Sequence, residues 1–101
     1  MDYLDRLAQF VRNTTCATVP APVVAAARLV LLDTLGAMLA GSRLPENAKL
    51  ARLVAERSGP RTAVLIGHAG RAEPMLAALS NATAGVALEV DEGNQIGRAH
   101  V

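Results

Sequence analysis

The stretch from Pro22 to Ala40, PVVAAARLVLLDTLGAMLA, limits the possible fold more than any other part of the chain. Pro22 suits the first turn of a helix and Gly41 its stop, so the stretch predicts one helix over about residues 22 to 40. Its residues are apolar on nearly every face, and it is long enough to cross a bilayer. Arg28 and Asp33 argue against that, since each would cost about 2.5–3.5 kcal/mol near a bilayer centre on insertion scales. A soluble helix with this pattern is a central core helix, which needs cover on all sides. Gly36 is the position where a neighbouring helix is expected to approach closely.

Little else in the chain can supply that cover. The 101 residues suffice for one small domain. Asp2 caps a first helix over about residues 3 to 12, with Leu4, Leu7 and Val11 as its apolar stripe and Tyr3 and Phe10 at the flank. Asn13-Thr14-Thr15 ends it. A third helix starts at Pro45, turns Leu50, Leu53 and Val54 inward, and closes at Gly59-Pro60. Thr62 to Ile66 predicts a strand, Gly67-His68-Ala69-Gly70 a turn, and Arg71-Ala72 a short return strand. A fourth helix runs from Pro74 to about Val90, with Leu76, Leu79, Thr83, Val86 and Val90 as its packing stripe; Asn81 and Gly85 belong to a second face. The fold class is therefore mainly α, a bundle-like arrangement with one short β-hairpin. A lone hairpin is marginal in water, so this one must pack on helices.

Composition excludes several functions. Ten basic and nine acidic residues leave a net charge of +1, and the basic residues are spread singly along the chain, which provides no electrostatic case for nucleic acid or an anionic membrane. Cys16 is the only cysteine, with no Cys or His at metal-ligand spacing, which points to a reducing, cytoplasmic setting. The start, MDYLDRLAQF, is acidic and amphipathic, unlike a signal peptide. His68 reads as an exposed turn residue.

Charge is gathered instead at ALEVDEGNQIGRAHV, residues 87 to 101. Glu89, Asp91 and Glu92 fall at the end of the predicted fourth helix, where acids face the negative end of the macrodipole and are disfavoured. Such a local inconsistency marks a functional site or a solvated helix end. The spacing fails as a calcium loop, because the glycine is one position early and no acid closes the loop. Neither a zinc H-E-x-x-H nor a G-x-S-x-G elbow is present. Clustered carboxylates followed by His100 suit general acid–base work, the reaction class being proton removal beside a carboxylate-bearing carbon.

The segments LLDTLGAMLAGSRLPE, TAVLIG, ALSNATAGVALEVDEG and GRAHV resemble, in order and spacing, the MmgE/PrpD family. That family includes 2-methylcitrate dehydratases, cis-aconitate decarboxylases and iminodisuccinate epimerases. The resemblance implies the family's all-helical domain, no metal or organic cofactor, a small polycarboxylate substrate and a homodimer. It places catalytic roles on Glu89, Asp91 and His100, and substrate contacts on Asn81, Glu92 and Arg98. The chain departs from the family pattern at Ala82, Val86, Glu89, Gly93 and Val101. Because family members are several times longer, the resemblance implies an N-terminal portion whose remaining catalytic groups come from further sequence, and which is inactive alone. The rival reading is a non-catalytic helical interaction or dimerisation module.

Overall fold

The computed structural model describes residues 2–90. There are four helices, α1 (Tyr3–Asn13), α2 (Ala21–Gly41), α3 (Pro45–Arg57) and α4 (Pro74–Val86), and a two-stranded hairpin of β1 (Ala63–Val64) and β2 (Arg71–Ala72) that packs on α3 and α4. The fold is mainly α with one small antiparallel hairpin, as the sequence predicts. The strands pair Ala63 with Ala72 and Val64 with Arg71.

Local chemistry sets the element ends. Asp2 accepts a hydrogen bond from the Asp5 amide at 2.8 Å and Asp5 reaches back to the Asp2 amide, forming a capping box at α1. Prolines occupy the first turns of α2, α3 and α4, where their missing N–H groups would have no helical partner. Glu73 caps α4 by accepting from the Leu76 amide at 2.9 Å. Ser58 follows α3, and its hydroxyl joins two elements. It donates to the Val54 carbonyl at 2.6 Å and accepts from the Glu73 amide at 2.9 Å, so the stop of α3 is fixed to the start of α4.

The core lies between α3, the hairpin and α4. Ala51, Val54, Leu65, Ala72 and Ala77 form it, with Leu50, Ala55, Ala63 and Leu76 partly buried around it. Two expected faces are corrected by this packing. On α3, Leu53 points outward and is 47% exposed, whereas Asn47, Ala51 and Val54 are buried. On α4 the buried face is Ala77, Ser80, Ala84 and Gly85, while Leu79 and Val86 are about half exposed. Small residues win because they let helix backbones come together; the larger residues are left on the opposite side.

The helix–helix contact is made where α2 ends. Gly41 and Ala37 are buried there against α4, and a Cβ on Gly41 would collide with the backbone carbonyl of Ala84. Gly85 gives a second close approach, with Met38 against it. Gly36, the glycine expected at the crossing, has open space around it. The crossing falls one to two turns later because the loop to α3 holds the end of α2. Asn47, buried in the first turn of α3, donates from its side-chain amide to the Gly41 carbonyl at 2.8 Å.

Most of α2 has no cover among the described residues. Its most apolar window is only 6% buried, although by length and composition it could cross a membrane. Leu29, Val30, Leu31, Leu32 and Leu35 all stand exposed. The stripe of α1 is equally bare, from Tyr3 at 75% to Leu7 at 46% exposure.

Candidate active site

Of the six residues singled out for chemistry, Asn81 and Glu89 lie in the described part of the chain. Asp91, Glu92, Arg98 and His100 lie outside the described residues. The geometry of the site is therefore built from α4 and the turn that follows it.

α4 stops at Val86, four residues short of the predicted end. The apolar stripe runs on from Val86 to Val90, past the helix, but the hydrogen bonding does not. The Ala87 amide bonds to the Ala84 carbonyl at 3.3 Å and the Glu89 amide to the Val86 carbonyl at 3.2 Å. These three-residue spacings tighten the final turn and end the α-helical ladder. Glu89 then adopts φ +54°, a left-handed conformation found at no other non-glycine residue among those described. Helices often end on a glycine or asparagine in this conformation, and for a residue with a Cβ it carries a penalty of roughly 1–2 kcal/mol. The backbone thus departs from the helical path at Glu89. Glu89 itself is exposed.

Asn81 sits one and a half turns before that stop, on the face of α4 toward the hairpin. Its side-chain oxygen accepts from the Ile66 amide at 2.9 Å, and its side-chain nitrogen donates to the Val64 carbonyl at 2.9 Å. Both ends of the amide are therefore used on the backbone beside β1, in the way a neighbouring strand would use them. The role this geometry gives Asn81 is to lock the hairpin to α4, which fixes the direction in which α4 delivers Glu89. A substrate contact would have to use the second N–H or the second lone pair.

Sequence reasoning did not find this bond, nor the Ser58–Glu73 and Asn47–Gly41 links. The signal available was a polar residue on an otherwise small, apolar helical face, which applies to both Asn81 and Asn47.

No curated protein and no solved structure matches the chain. The family comparison is positive: the MmgE/PrpD N-terminal domain matches residues 5–99, a span that takes in most of α1, the other three helices, the hairpin, Asn81 and Glu89. The chain belongs to the MmgE/PrpD family, as an N-terminal domain of that family.

Proposed function

We propose that this domain supplies the acid–base half of a cofactor-independent lyase or isomerase acting on a small polycarboxylate, in the manner of the 2-methylcitrate dehydratases of its family. The observation that carries the reading is Glu89 held in a left-handed conformation directly after α4. Backbone strain of this kind at a charged residue is characteristic of functional positions. In this reading Asp91, Glu89 and His100 exchange the proton next to a substrate carboxylate, while Arg98 and Glu92 orient the substrate, and Asn81 positions α4. The protein works in the cytoplasm as a homodimer.

The test is turnover on 2-methylcitrate, cis-aconitate and iminodisuccinate by the domain joined to the family's α+β domain. Asp91→Asn should lower kcat by about 10²–10⁴-fold, the usual loss for an acid–base group, without shifting the denaturation midpoint. Unchanged kcat would reject the catalytic role.

A second reading, a non-catalytic interaction or dimerisation module, is favoured by one feature: the uncovered apolar faces of α1 and α2. It predicts a stable complex with a second chain, and no loss of function on neutralising Asp91.

A further inference from the structure

Away from the acidic motif, α3 and the hairpin turn form an open cleft of about 240 Å³. Its floor is Ala48, Ala51 and Ala55, on one face of α3, with Leu65 beneath. Among the described residues, those that line it with polar side chains are Arg52 and His68, and no carboxylate does.

The backbone at His68 is held by its surroundings. It is half-buried, and its amide donates to the Leu65 carbonyl at 3.0 Å. Gly67 before it turns at φ +85°, where a Cβ would run into the Ser42 side chain. Ile66, one residue earlier, is tied to Asn81. The turn is therefore tied to α4 and lies close against Ser42 at the end of α2, and His68 and Arg52 line the same cleft.

We propose that this cleft binds a short aliphatic carboxylate. Arg52 takes the carboxylate through its guanidinium, His68 donates a ring N–H, and the alkyl part lies on the alanine floor. A cationic fork matches a carboxylate, with charge-assisted hydrogen bonds about twice as strong as neutral ones. The apolar floor selects against a compact ion such as phosphate, which carries oxygens on every side and would leave some of them unpaired against methyl groups. A ligand with one charged end and one apolar end satisfies both halves of the cleft.

Gly70 provides a test independent of charge. It is outside the left-handed region, and a Cβ built there would make ordinary contacts of 3.7 Å to Ala55 and 3.9 Å to Leu65. Gly70→Ala should therefore fold normally while filling part of the cleft. The experiment is calorimetric titration of the 101-residue chain with butyrate, with inorganic phosphate as the second titrant. Butyrate should bind saturably and phosphate should bind more weakly. Arg52→Gln should weaken butyrate binding about tenfold, the loss of one charge-assisted contact. Gly70→Ala should weaken it too, at an unchanged circular dichroism spectrum and melt. Absence of saturable butyrate binding in the millimolar range, equal affinity in both variants, or phosphate binding as tightly as butyrate would each overturn the assignment.

Discussion

The side-chain amide of Asn81 and the backbone amide of Ile66 meet at 2.9 Å, fifteen residues apart in sequence, and the same side chain reaches the Val64 carbonyl at 2.9 Å. This pair of bonds joins the hairpin to α4. Asn81→Ala would leave an N–H and a C=O without protein partners, and the expected loss is about 1–3 kcal/mol, since water can reach part of the site. Asn81→Asp keeps the acceptor for Ile66 but sets a carboxylate oxygen against the Val64 carbonyl, so it should also destabilise. Urea midpoints for the two variants check this; a substrate-only role for Asn81 would leave both midpoints unmoved.

Gly36 and Gly41 lie on the same helix yet should respond oppositely to alanine. Gly36 is in open space, so Gly36→Ala should stabilise α2 by about 0.5–1 kcal/mol through helix propensity. Gly41→Ala places a methyl group into the Ala84 carbonyl and must push α2 and α4 apart, at a cost of about 1–3 kcal/mol or more. Thermal midpoints of the two single variants decide it, and the crossing assigned here fails if Gly41→Ala is neutral.

Glu89 offers a stability test separate from catalysis. Its left-handed backbone suits glycine, so Glu89→Gly should stabilise the domain by a few tenths to about 1 kcal/mol. Glu89→Gln keeps the Cβ and so keeps the backbone strain, and its midpoint should stay near the parent value. A destabilised Glu89→Gly would mean that the carboxylate makes a structural contact.

Exposed apolar faces should govern behaviour in solution. Leu29, Leu31 and Leu32 on α2, and Leu4, Phe10 and Val11 on α1, are all more than half exposed. Contiguous patches of this kind drive association. The chain should be helical by circular dichroism but self-associate in sedimentation velocity, and Leu29→Gln with Leu32→Gln should reduce that association. A monodisperse monomer with a sharp melt in the parent chain would contradict it.

The sequence by itself determined where the helices and the hairpin lie. Asp2 before Tyr3, Pro22, Pro45 and Pro74 in the first turns, and the Gly59-Pro60 break are local signals, each tied to a backbone group that has a fixed need. The acidic motif was legible for the same reason, as charge standing out against an aliphatic background. What only the tertiary structure decided is which face of each element is buried and how α4 ends. Periodicity marks Leu53, Leu79 and Val86 as core, but close helix approach at Gly41 and Gly85 buries the small face of α4 instead. The final turn of α4 tightens at Ala87 and turns left-handed at Glu89, although the apolar pattern runs on to Val90. The bonds from Asn81 to Ile66 and Val64 are likewise decided by the fold, because a hydrogen bond across fifteen residues leaves no trace in local spacing. Hydrophobic pattern reports how much surface an element must hide; which neighbour hides it depends on contacts made only when the chain is folded.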